Sequence, residues 1–143
     1  MKCLSIMCGT LLLGALIAPA QQGLTLQVQL RYTGSGTVDE THKIFVALWD
    51  SPGFTNNGGP PVAVKSATSK NGVVTFSGVQ KVPAYVSAAY DPTGQWDGQS
   101  GPPPSGASLG MYSTAPPKPD PIEITPGKIA KVTITFEDTR KVP

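Results

Sequence analysis

The chain is poor in the groups that most reactions depend on. Its two cysteines, Cys3 and Cys8, both lie in a short apolar stretch at the N-terminus. Beyond that stretch there is no disulfide, no thiol nucleophile and no thiolate ligand. The single histidine, His42, sits between Thr41 and Lys43 and reads as a solvated loop residue. No base is spaced to activate a serine or threonine, and no set of residues has metal-ligand spacing. The sequence therefore supplies no catalytic residues and points away from an enzyme. Charge is also scarce: 11 Lys and Arg stand against 9 Asp and Glu, a formal net charge of +2. That balance gives no electrostatic footprint for nucleic acid or an anionic membrane. No window has helical amphipathic spacing, and no later segment approaches the roughly 20 apolar residues of a membrane span.

What is present begins with an export signal. Lys2 is followed by a mostly apolar run from Leu4 to Ile17 and by Ala18-Pro19-Ala20, a small-x-small pattern. This reads as a secretory signal over residues 1–20, cleaved before Gln21. The remaining residues 21–143 fit one domain, periplasmic or secreted, with no integral membrane segment left after cleavage. Sixteen glycines and 15 prolines favour strands joined by turns over long helices.

The strand signals are strong. Leu24, Leu26, Val28, Leu30 and Tyr32 alternate with polar residues, the period of a half-buried strand. Lys43 to Asp50 is apolar on both faces, as in a central strand covered on two sides, with Phe45 and Trp49 expected in the core. Val62 to Ala67 follows, with Val62 and Val64 inward. Asn71-Gly72 predicts a type I′ hairpin into Val73–Ser77, whose Val74 and Phe76 face the core. Ala84 to Asp91 is the fifth strand, Ile122 to Ile124 a short edge strand, and Pro126-Gly127 a tight turn into Lys128–Glu137. Seven strands with turns between them predict an all-β, antiparallel β-sandwich of the transthyretin-like or Ig-like kind.

One long Gly/Pro-rich loop, residues 92–121, interrupts the pattern, and a loop of that length in a compact domain is usually functional or disordered. Trp96, Asp97 and Tyr112 lie in it and are the expected ligand-binding residues, with Asp91 positioning the loop and Phe54 in a second loop. Exposed aromatic rings stack on sugar faces or hold partner proteins. The alternative is that Trp96, Met111 and Tyr112 fold back as an apolar clasp. Asp91 and Asp97, with Asp50 across the sandwich end, are candidate calcium ligands, although a calcium site needs six to eight oxygens. The competing role for Asp91 is to cap its own turn.

Val46-Ala47-Leu48-Trp49-Asp50-Ser51-Pro52 with Phe54 resembles the V-A-L-F-D-S-x-x-x-F signature of a family of uncharacterised exported bacterial domains. Asn71 to Val79 and Tyr85 to Asp91 fall where that family has its T-V-x-F-x-G-L and Y-A-V-x-x-x-H-D segments. More distantly, Pro126 to Phe136 resembles transthyretin-like and carboxypeptidase-regulatory-like sandwiches. The resemblance implies export and a β-sandwich, and it brings no catalytic residues. Transthyretin-like hydrolases carry several histidines and a C-terminal Y-R-G-S, and neither is found here. The family's acidic run after the fifth strand reads Asp91-Pro92-Thr93-Gly94-Gln95-Trp96-Asp97, without the middle acidic and amide groups. The expectation is an exported non-enzymatic binding or envelope-accessory module for a protein or glycan, or else a calcium-stabilised structural domain or a carbohydrate-binding module.

Overall fold

A computed structural model of the chain describes residues 23–56 and 59–143. The expected signal segment lies outside the described residues. Among the described residues seven strands form: β1 (Leu24–Tyr32), β2 (Ile44–Trp49), β3 (Ala63–Ala67), β4 (Val73–Val79), β5 (Tyr85–Tyr90), β6 (Ser108–Met111) and β7 (Ile129–Phe136). They make a three-stranded sheet ordered β4-β1-β7 and a four-stranded sheet ordered β3-β2-β5-β6. No helix among the described residues is long and apolar enough to cross a membrane.

The two sheets bury one hydrophobic cluster between them. From the three-stranded sheet come Leu26, Val28, Leu30, Phe76, Ile134 and Phe136; from the other come Ile44, Val46, Leu48, Val86 and Ala88. The period-two alternation of β1, β4, β5 and β7 places these side chains on one face of each sheet. Each large aliphatic side chain fully withdrawn from water contributes about 1.5–3 kcal/mol. The Pro126-Gly127 turn forms as expected, with Gly127 at φ 79° and Lys128 N donating to Thr125 O over 3.1 Å.

Several expectations are corrected. The sandwich is not wholly antiparallel: β1 and β7 pair in parallel from Thr25 opposite Ile129 to Tyr32 opposite Phe136. Asn71-Gly72 does not close a hairpin ladder. β3 pairs with β2 and β4 with β1, so the turn passes from one sheet to the other. It needs no left-handed residue, and Gly72 N donates to Ser69 O over 3.1 Å. Ile122 to Ile124 is not a strand; Ile122 makes one bridge to Ala84 and buries its side chain with Ile124 in the core. Val62 is 58% exposed, and Val64 lies opposite Ala47 on the outer face of the four-stranded sheet.

The expected long loop is structured instead. It contains β6, and the C-terminal segment pairs along the outer side of β6 through Leu109 N to Arg140 O, 2.8 Å, and Val142 N to Ala107 O, 2.9 Å. On the inward face of β6 sits Gly110, where a Cβ would come 2.5 Å from the Phe136 Cβ. The close approach of β6 to β7 requires glycine there.

One end of the sandwich is tied by a carboxylate. Asp138 accepts from the Tyr32 hydroxyl (2.5 Å), the Ser108 hydroxyl (2.7 Å), Ser35 N (2.8 Å) and the Ser35 hydroxyl (3.1 Å). These donors, the Tyr32 hydroxyl foremost and then the Ser35 amide and the Ser108 hydroxyl, hold the Asp138 carboxyl far below the usual range. Burial, and then the bond to Asp138, pushes the Tyr32 phenol up. The Tyr32 ring lies 5.1 Å from that of Tyr90 and 4.9 Å from that of Phe136, so polar tip and aromatic body fasten the same corner.

Candidate functional site

The outward face of the four-stranded sheet is apolar, which is unusual for a face turned away from the core. Residues alternating with the buried Ile44, Val46 and Leu48 are Phe45, Ala47 and Trp49, each half-buried. The pairing register brings Ser87 and Ala89 of β5, and Leu109 and Met111 of β6, onto that same face. Phe45 and Trp49 are thus not in the core between the sheets, as the sequence suggests. Both faces of β2 are apolar because the second is the floor of a cleft.

The cleft has a volume of about 960 Å³. Its near wall is a single 3-10 turn, Pro52–Thr55, followed by Pro60 and Pro61. The Ser51 hydroxyl caps this turn by accepting from Gly53 N at 3.3 Å. The Phe54 ring then stacks on Trp49, with centroids 4.7 Å apart and planes at 14°. Trp49 Nε1 donates to the Ser87 hydroxyl at 2.9 Å, which fixes the indole from its other end. The far wall comes from Trp96, Gln99, Pro102 and Pro103, with Pro116 and Pro117. Prolines restrict the backbone before any ligand arrives, so ordering these walls costs little entropy.

Asp91 builds the Trp96 wall. It is 1% exposed and accepts from Thr93 N (2.8 Å), the Thr93 hydroxyl (2.6 Å) and Trp96 N (3.0 Å). Burial alone would raise its pKa, but the bonds from the Thr93 hydroxyl and the Trp96 and Thr93 amides outweigh it and hold the carboxyl below its usual range. The indole of Trp96 meets the Phe45 ring edge-on, at 5.1 Å and 71°. On the same ring lies Gly98, with φ 83°, where a Cβ would come 2.4 Å from Phe45 Cδ1. Trp96 Nε1 is buried and has no hydrogen-bond partner among the described residues. Such an atom is an unsatisfied donor in the wall.

Asp97 closes a separate turn. It accepts from the Ser100 hydroxyl (2.6 Å), Ser100 N (2.6 Å) and Gln99 N (2.8 Å), and these bonds lower its pKa to about 2. The Asp91 and Asp97 carboxylates thus each accept from amides and a hydroxyl of their own turn. Among the described residues no three His, Cys, Asp or Glu side chains gather as a metal site would need. His42 lies beside Asp39, with Nδ1 3.1 Å from Oδ1.

Of the expected ligand-binding residues, Trp96 lines the cleft and Asp97 lines a smaller hollow of about 440 Å³ beside it. Phe45, Trp96 and Gln99 are shared by the two, and Glu40, Lys43 and Lys65 make the hollow polar. Tyr112 does not join them. It packs against the core from the opposite face of the sheet, with its N donating to Val86 O at 3.1 Å and its O accepting from Asp120 N at 2.9 Å. The residues that replace it in the cleft are Trp49, Phe54, Leu109 and Met111. Their sequence signal is the both-sides-apolar run of β2, which an inner strand and a cleft floor share.

The fold and site define a two-sheet all-β protein carrying an aromatic, proline-walled cleft on the outside of its larger sheet. Comparison with protein-family models, curated proteins and solved structures finds no match to this chain.

Proposed function

We propose that the chain is an exported, non-enzymatic binding module of the periplasm or the medium, and that the cleft over β2, β5 and β6 holds its ligand. The observation that carries this reading is the open apolar face of Phe45, Ala47, Trp49, Leu109 and Met111, walled by Phe54, Trp96 and prolines. A sheet face turned away from the core is here aromatic and concave, the usual form of a ligand site. The N-terminal run from Leu4 to Ala20 supports export.

The ligand class that suits the cleft is a glycan. Sugar rings offer flat C–H faces to indoles and hydroxyls to a polar rim. Gln99, Ser113 and Arg140 supply that rim beside the rings of Trp49 and Trp96. A protein segment with apolar side chains is the other partner that the surface suits.

The chain holds two tryptophans, and both line the cleft, so intrinsic fluorescence reads the site directly. Titration with soluble cell-wall and plant glycans should give a saturable change with one class, reduced in Trp49→Phe and Trp96→Phe. If every glycan leaves the signal unchanged while an apolar peptide alters it, the glycan assignment is wrong. If neither alters it, the cleft is not a binding site.

A further inference from the structure

The free edges of the two sheets are treated very differently. The outer side of β6 is covered by residues Arg140 to Val142. β3 is short, follows Pro60-Pro61 and carries Lys65. β4 is broken by a register shift opposite Leu24 to Leu26, with Gly78 at φ 67°. Short strands, prolines, charges and bulges are the devices that stop an edge from pairing with another chain. β7 has none of the backbone devices. It is eight residues long, in unbroken register with β1 along its whole length, and among the described residues no other strand pairs with it.

Its free groups can be assigned. Thr33 N donates to Phe136 O, so the even-numbered residues of β7 turn their N–H and C=O toward β1. Ile129, Lys131, Thr133 and Thr135 then turn theirs outward. On the core side, Ala130 and Val132 remain only half-buried, whereas Ile134 and Phe136 are buried. The core is thinnest where the edge is open.

We propose that the protein is a homodimer joined by antiparallel pairing of β7 with β7 of a second copy, centred on Thr133. A two-fold axis at that residue makes every outward-facing N–H and C=O meet its counterpart: Thr133 opposite Thr133, Lys131 opposite Thr135, Ile129 opposite Glu137. It sets Val132 beside Ile134 and Ala130 beside Phe136 of the other copy, which covers the half-buried pair. Lys131, the one charge within the strand, falls diagonal to Glu137 of the other copy, within reach of an ion pair. Centring on Lys131 would instead set that lysine against itself. The two three-stranded sheets become one six-stranded sheet, and the contact is isologous and closed.

The test is the mass of the purified protein by sedimentation and light scattering over micromolar concentrations. Wild type should run at twice the chain mass. Thr133→Pro removes an N–H that no strand among the described residues uses, and Thr133→Lys places two like charges opposite each other on an exposed face. Both should run at the single-chain mass with an unchanged far-ultraviolet spectrum. Thr133→Cys, in a Cys3→Ser and Cys8→Ser background, should oxidise to a covalent dimer, because hydrogen-bonded opposite residues lie about 5.5 Å apart at Cα, within disulfide range. A wild type that stays at the single-chain mass overturns the proposal. So does a dimer that survives Thr133→Lys, or a Thr133→Cys chain that does not cross-link.

Discussion

Replacing Asp138 by alanine should destabilise the protein more than any exposed substitution, and the loss should depend on pH. The carboxylate accepts from Tyr32 and Ser35, at the end of β1 and in the turn after it, and from Ser108 of β6. Tyr32 and Ser108 are 3% and 1% exposed, so their hydroxyls reach water only through the space that the carboxylate vacates. Each buried donor left unsatisfied costs about 1–3 kcal/mol. Ser35 is exposed and recovers hydration, so it adds little. The expected loss is about 3 kcal/mol, or roughly 10 °C in Tm for a domain of this size. Because the folded carboxyl is held well below its usual value, its contribution is complete above the unfolded pKa near 3.9 and is lost as pH falls below it. The gap between wild type and Asp138→Ala, followed by thermal circular dichroism, should therefore be constant near neutrality and should shrink below about pH 4. Tyr32→Phe alone should cost about 1 kcal/mol, and less still when added to Asp138→Ala. A neutral-pH loss under about 1 kcal/mol, or a gap that stays constant down to pH 2, refutes the reasoning.

Other substitutions probe the cleft and its supports. Asp91→Ala strips three bonds from a buried turn and should cost about 2–4 kcal/mol, with red-shifted Trp96 emission as the wall loosens. Gly110→Ala forces β6 away from Phe136 and should cost about 1–3 kcal/mol by denaturant melting; a neutral result would show that the strands can separate freely. Gly98→Ala adds both a clash with Phe45 and a strained backbone, so it should alter Trp96 fluorescence more than it lowers Tm. Calcium and chelator should leave Tm within about 1 °C, since Asp91 and Asp97 are taken by separate turns; a clear rise with calcium would make them ligands.

Alternation made β1, β4, β5 and β7 legible, because burial of one sheet face writes itself into every second residue. Strand direction was not legible. Parallel and antiparallel neighbours produce the same alternation, and the β1–β7 pairing joins residues about a hundred positions apart. β6 is four residues, Ser-Leu-Gly-Met, among prolines; its strand character comes from lying between β5 and the C-terminal segment. Without β6, sequence alone does not separate the faces of Met111 and Tyr112, so Tyr112 falls in with Trp96. Val62 looked like core because it is apolar, but it precedes the strand and projects into solvent. The turn-capping role open to Asp91 is what the geometry shows, since the bonds are local in sequence. Asp138 left no such trace: its main partner, Tyr32, is 106 residues away.

The central claim is that ligand enters the cleft outside the four-stranded sheet. Amide chemical-shift mapping during a glycan titration tests it most directly. The account predicts perturbations gathered on Phe45, Trp49, Phe54, Trp96 and Met111, with Tyr112 and the Asp138 corner unchanged. Perturbations gathered around Tyr112, along the three-stranded sheet, or nowhere would contradict it.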